Sequence, residues 1–152
     1  YCIMRGTALA QGIGEKLFQL PPMVKCPVLI AKPSVSVSTK FVYQNLKLDE
    51  NTNHPDIDGL IAAIKKKDFP EICTKMGNVL ESVTIPNYPV IAEIKEKMME
   101  AGAAHAMMSG SGPTVFGLFE DEETAQRARD VMKASGLARQ VYLTSIYNNR
   151  RK

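Results

Sequence analysis

The chain has 152 residues, 45% of them hydrophobic and 23% charged, with a formal net charge of +3. That balance suits one folded domain, which buries roughly two-thirds of the surface its unfolded chain exposes, and it argues against extended disorder. The small positive charge, part of it in the terminal Arg150-Arg151-Lys152, is no footprint for nucleic acid, and no stretch reaches the roughly 20 consecutive apolar residues of a membrane span.

In chain order, residues 2–10 (CIMRGTALA) and 13–20 (IGEKLFQL) are β-compatible runs that meet at Gly12-Ile13-Gly14. They predict a hairpin, ended by Pro21-Pro22. The run 27–32 (PVLIAK), bounded by prolines, predicts a buried strand. Pro33–Thr39 alternates like a strand, yet Ser38 or Thr39 is also a good N-cap, so the reading is a loop and then a short helix over Lys40–Leu46. Residues 49–55 are a polar turn. Asp56 caps a helix over Ile57–Lys66, with Ile57, Leu60, Ile61 and Ile64 on one face. Shorter helices are predicted over Phe69–Met76 and Asn78–Val83.

The clearest helix spans Tyr88–Ala101, with Ile91, Ile94 and Met98 on one face and Glu93, Glu96, Lys97 and Glu100 opposite; Gly102 follows as a C-cap. Ala103–Met108 and Thr114–Phe119 predict strands on either side of Ser109-Gly110-Ser111-Gly112. A second clear helix covers Glu122–Ala134. Its N-terminus carries Asp121, Glu122 and Glu123, where the macrodipole favours acids. Ala125, Ala128, Val131 and Met132 form its apolar stripe, and Gly136 stops it. Val141–Ile146 is a last strand. From residue 27 the order is β-α-β-β-α-β with extra helices in the first crossover. That predicts an α+β, ferredoxin-like split βαβ fold, with helices covering one face of a four-stranded antiparallel sheet and a β-hairpin ahead of it.

Cys2, Cys26 and Cys73 are widely spaced and form no CxxC pair. They fit neither a disulfide framework nor a zinc site, and a reducing cytoplasm is the simplest setting. His54 and His105 cannot supply a multi-histidine centre, and the metal expectation for these residues is none. The first residue is tyrosine and the opening residues already look like strand, so the chain reads as a fragment of a longer one.

The loop Ser109–Gly112 admits two readings. One is a tight hairpin turn, which also wants glycine. The other is a cradle in which backbone N–H groups and the Ser109 and Ser111 hydroxyls hold a phosphate. It is not a P-loop, because the GxxxxGK[ST] lysine is missing and a strand follows, and it is not a dinucleotide fingerprint for the same reason. Asp56 and Asp58 flank a helix start, the usual place for capping acids. His105 reads as structural, Asn78 and Glu81 as fixing helix contacts, and Met98, Met99, Met107 and Met108 as core filler.

The stretch AMMSGSGPTVFGLF resembles the third, C-terminal glycine-rich motif of the GHMP kinase superfamily. RGTALAQGIGEKL, KPSVSVSTKFVY and MGNVLESVT resemble segments of one branch of it. That branch phosphorylates the 2-hydroxyl of 4-diphosphocytidyl-2-C-methyl-D-erythritol in non-mevalonate isoprenoid synthesis. The resemblance covers residues 1 to about 146. It implies ATP and Mg²⁺ as cofactors, bound mainly by an N-terminal domain that carries the main ATP loop and the catalytic lysine and aspartate. No catalytic residue is then expected in this chain, which alone is expected to be inactive. It also implies a cytoplasmic enzyme whose partners are its small-molecule substrate and its own N-terminal domain, with no nucleic acid and no membrane. The implied layout is 1–22 as a hairpin of the N-terminal domain or junction, 23–147 as the C-terminal domain, and 148–152 as a basic tail.

For the site, the resemblance assigns Ser109, Gly110, Ser111 and Gly112 to phosphate or nucleotide. It assigns Tyr43 to stacking on the cytosine ring, and Thr39 and Lys40 to the substrate cleft. The blander readings are a core Tyr43, a merely capping Thr39 and a solvated Lys40; Phe41 and Leu46 are expected to supply the core face of that helix. Arg5 reads as a surface ion pair or a phosphate contact. Two rivals remain: a kinase of the same superfamily for homoserine, mevalonate or a sugar, and a non-catalytic ferredoxin-like binding module.

Overall fold

In the computed structural model the described residues are 6–50 and 52–148. The expectations for Cys2, for Arg5 and for Arg150-Arg151-Lys152 lie outside them. The described chain opens with β1 (Ala8–Gln11) and β2 (Lys16–Gln19), paired antiparallel with Leu9 opposite Phe18. Gly12 and Gly14 take φ of +68° and +100° in the turn, which only glycine adopts readily. The hairpin forms a two-stranded sheet of its own, and Phe18 on it is 52% exposed.

The main body follows. β3 (Pro27–Lys32) leads to α1 (Thr39–Asn45), α2 (Ile57–Lys66), α3 (Phe69–Lys75), α4 (Glu81–Asn87) and α5 (Val90–Glu100). The chain returns through β4 (His105–Met108), β5 (Val115–Leu118), α6 (Glu122–Ser135) and β6 (Gln140–Ser145). The four main strands run in the order β4-β5-β3-β6, every pair antiparallel. This is the α+β, ferredoxin-like arrangement that the β-α-β-β-α-β order predicts.

β3 lies in the middle because it is apolar on both faces. Leu29 and Ala31 are fully buried in the core that α5 and α6 close, with Ile91, Ile94, Met98, Ala125, Ala128 and Met132. Val28 and Ile30 face the other way, where Cys26, Leu118 and Cys73 of α3 pack. The sheet is therefore covered in part on its second face too, a departure from the expected single layer of helices. Burial there pushes the Cys26 thiol up to about 11, with Cys73 adding to the effect, and raises the Cys73 thiol as well, so these two thiols are poor nucleophiles.

Several expected apolar positions face solvent. On α2, burial centres on Ala63 and Ile64, which pack with Ile72 of α3, and Ile57 at the other end is exposed. On α6 the inward stripe is Ala125, Ala128 and Met132, and Val131 lies outside it. Met99 is exposed where Met98 is buried, because adjacent helical residues point about 100° apart. The short helix predicted over Asn78–Val83 starts later, at Glu81, and runs to Asn87 through Pro86.

Aspartates start three helices. Asp56 accepts from Gly59 N–H at 2.9 Å, Asp68 from Glu71 N–H at 3.0 Å and Asp121 from Thr124 N–H at 2.7 Å. Asp56 also accepts from Lys75 Nζ at 2.7 Å, tying α2 to α3. The Lys75 bond, then the Gly59 N–H, holds the Asp56 carboxyl below its usual value of 3.8; Thr124 does the same for Asp121, mainly through its backbone N–H. A carboxylate whose folded-state pKa is depressed stabilises the fold above its unfolded pKa, and that contribution is lost as pH falls through the folded value. Below pH 3.8, the fall in stability is therefore expected to be shallower in the Asp56→Asn/Asp121→Asn double variant, which keeps capping oxygens but does not titrate. Urea midpoints measured between about pH 2 and pH 5 check this; an acid limb as steep as the wild type's would contradict it.

Candidate functional site

The sheet register brings three connections to one end. Ala31 lies opposite Val115 and Lys32 opposite Gln140, so the segment after β3, the glycine loop before β5 and the turn before β6 are neighbours. Pro33, Pro113 and Arg139 line one cleft of about 370 Å³ there, together with Lys32, Ser36 and Gln140.

The glycine loop closes on itself. Ser109 N–H donates to Thr114 C=O at 2.8 Å and Gly112 N–H to Ser109 C=O at 3.0 Å. Gly110 and Gly112 have φ of +56° and +87°, and the Gly112–Pro113 peptide is cis. A Cβ on Gly112 would lie 2.8 Å from Met108 Sδ and 3.3 Å from Thr84 Cγ2, whereas one on Gly110 would meet nothing within 4 Å. The amides of Gly110 and Ser111 have no acceptor among the described residues. Two adjacent free amides next to two serine hydroxyls suit an oxyanion.

The loop is held from outside by Asn78 and Glu81, which the sequence reading gave only to helix contacts, and by Thr84, which it did not single out. Asn78 Nδ2 donates to Met108 C=O at 2.9 Å and to Gly110 C=O at 2.8 Å. Glu81 Oε1 accepts from Met108 N–H at 2.8 Å, and its other oxygen accepts from Lys95 Nζ at 2.6 Å. Thr84, fully buried, donates to Ser111 C=O at 3.1 Å. The sequence signal was their spacing: positions 78, 81 and 84 put three polar groups on one side of a helical turn.

On the other side, Thr39 Oγ1 lies 2.9 Å from Ser111 Oγ. The N-cap of α1 is Ser38, whose hydroxyl accepts from Phe41 N–H at 3.3 Å, so the Thr39 hydroxyl is free to reach the loop. Val42 is the fully buried anchor of α1, with Leu46 packed beside it one turn on. Phe41, expected inside, is 39% exposed because it lies one position round the helix from that face. Tyr43 is 60% exposed and four residues after Thr39, on the same face. Its core reading does not hold. Lys40 is exposed and joins no ion pair among the described residues. The structure thus brings Thr39 to Ser111 and leaves Tyr43 and Lys40 open to solvent.

His105 begins β4, at the end away from the loop; its Nε2 is buried without a partner among the described residues, and burial lowers its pKa. Among the described residues no three His, Cys, Asp or Glu side chains gather to hold a metal ion, and no helix is long and apolar enough to cross a membrane.

Gly112→Ala is expected to cost more stability than Gly110→Ala, by about 1 kcal/mol. Both force a side chain into positive φ, but only Gly112 lacks room for it. Urea midpoints of the two variants compare them, and equal losses would contradict the packing argument.

The family model for GHMP kinases C terminal matches residues 60–137. The 4-diphosphocytidyl-2-C-methyl-D-erythritol kinase of Lachnospira eligens is 59% identical over 147 residues, 97% of this chain and 51% of its own length. That of Lachnoclostridium phytofermentans is 53% identical over 150 residues, 99% of this chain and 52% of its own. A crystal structure of a 4-(cytidine 5'-diphospho)-2C-methyl-D-erythritol kinase superposes with a TM-score of 0.76 at 25% identity, covering 93% of this chain and 50% of that one. The chain spans about half the length of the curated relatives it matches.

Proposed function

The chain belongs to the GHMP kinase C-terminal family, and we propose that it is the C-terminal part of a kinase that transfers the γ-phosphoryl group of ATP to the 2-hydroxyl of 4-diphosphocytidyl-2-C-methyl-D-erythritol. The names of relatives 59% and 53% identical support that substrate. The structural observation that carries the reading is the 2.9 Å contact between Thr39 and Ser111, which joins the expected substrate segment to the expected phosphate loop.

In this reading the preceding domain supplies the main ATP loop and the catalytic lysine and aspartate, and residues 23–147 form the C-terminal domain. Residues 1–22, with their separate and largely exposed hairpin, belong to the other domain or to the junction, and 148–152 are a tail. The enzyme works in the cytoplasm.

ATP supplies the phosphoryl group, and this chain's part is to position it. The amides of Gly110 and Ser111, with the hydroxyls of Ser109 and Ser111, donate hydrogen bonds to phosphate oxygens without a local cation, and Gly112 lets the loop close. Tyr43 offers an exposed ring on which the cytosine stacks, and Thr39 and Lys40 line the cleft beside it. Among the described residues no three His, Cys, Asp or Glu side chains gather to hold a metal ion, and Mg²⁺ is held mainly by the preceding domain, where it would offset the charge of the phosphates.

The full-length protein is expected to consume ATP only when the diphosphocytidyl substrate is present. Tyr43→Ala is expected to raise the KM for that substrate about 5- to 150-fold, from the roughly 1–3 kcal/mol of base stacking, with a smaller change in kcat. Steady-state kinetics read both values. An unchanged KM would remove Tyr43 from the site, and ATP consumption with homoserine or mevalonate instead would replace the substrate.

A further inference from the structure

Three side chains of one short segment take four backbone groups around the glycine loop. Glu81 binds Met108 N–H, Asn78 binds Met108 C=O and Gly110 C=O, and Thr84 binds Ser111 C=O. We propose that Asn78, Glu81 and Thr84 are positioning residues that hold this loop in the form that receives the phosphates of a nucleoside di- or triphosphate. The proposal rests on the kinase reading and adds which residues outside the loop set its affinity for nucleotide.

Planarity of the peptide group ties each held carbonyl to the direction of the next amide. In a trans peptide the C=O of one residue and the N–H of the next point in opposite directions. Asn78 holds Gly110 C=O on its side of the loop, so the N–H of Ser111 is turned away from that side. Ser109 C=O is held inside the turn by Gly112 N–H, so the N–H of Gly110 is turned out of it. Both amides that lack an acceptor among the described residues thus belong to peptides whose carbonyl is held, and each points away from the group that holds it. Thr84 fixes the following carbonyl, and through that peptide the Gly112 N–H that closes the turn.

The clamp is itself fixed. Asn78 Oδ1 accepts from Leu80 N–H at 3.0 Å, which sets the amide orientation that presents Nδ2 to the loop. Glu81 is paired with Lys95 of α5, both partly buried, so its charge is balanced where an anion is to bind nearby. Thr84 is fully buried and lies against the loop at Gly112, where the glycine leaves room for its methyl group.

The experiment uses the full-length protein with Thr84→Val, which keeps shape and removes the donor, and Thr84→Ser, which restores it. Thr84→Val is expected to raise the KM for ATP about 2- to 10-fold, as loss of one hydrogen bond implies. The KM for the alcohol substrate is expected to stay unchanged, and Thr84→Ser to behave like the wild type. A lower melting temperature with an unchanged KM for ATP would overturn the clamp while leaving the kinase reading intact.

Amide hydrogen exchange gives a readout that does not need turnover. ADP is expected to slow exchange at Gly110 and Ser111 in the wild type, and to do so only at higher concentration in Asn78→Ala. If the wild type shows no kinase activity, the kinase reading fails and this measurement decides the clamp: equal protection in both proteins, or none in either, overturns it.

Discussion

The edge position of β4 constrains everything around the site. A strand at the border of a sheet has one row of backbone groups without a strand partner. At Met108, the last residue of β4, both the N–H and the C=O are taken by side chains, from Glu81 and Asn78. Side chains from the start of α4 and the turn before it thus complete the hydrogen bonding where the ladder ends. The same segment then follows the chain into the glycine loop, through Asn78 on Gly110 and Thr84 on Ser111. The loop's shape depends on a surface outside it, and its glycines permit that shape without specifying it.

The sheet supplies the second level of order. β3 is paired on both sides, so its register fixes where β5 and β6 begin and therefore which loops are neighbours. Stability resides in the apolar layers on either side of this strand, where Leu29, Ile91, Ile94 and Met98 are fully buried. The contacts that assemble the site are few and polar by comparison. The Thr39–Ser111 hydrogen bond is exposed, and such bonds are worth only about 1 kcal/mol net. The core brings α1 and the loop together, and the hydrogen bond sets their alignment. Val42 illustrates the division: it anchors α1 from the buried side, which leaves Thr39 at the loop and Tyr43 in solvent.

Much of this was legible in the chain. The serial order of elements identified the ferredoxin-like plan, because apolar runs bounded by prolines and glycines are short-range signals. The aspartate cap at Asp56, the acidic start of α6 at Asp121 and the glycine stop at Gly136 were equally local, since each works within one helical turn. Errors fell where the orientation of an element decided the matter. Phe41, Ile57, Met99 and Val131 are apolar and periodic, yet each lies off the arc its helix turns inward. The packing partner sets that arc, and the partner is distant in sequence. The covering of the second sheet face by α3 was missed for the same reason.

By itself, the sequence determined the elements, their caps and the glycine loop, since these depend on residues within a turn of one another. It also carried the family resemblance, because motifs are runs of neighbours. Only the tertiary structure decided what the loop does with its hydrogen bonds. Asn78 and Thr84 act on carbonyls 32 and 27 residues away, and Thr39 meets a hydroxyl 72 residues away. Such pairings exist only once the core has brought distant segments together, and no local pattern encodes the distances.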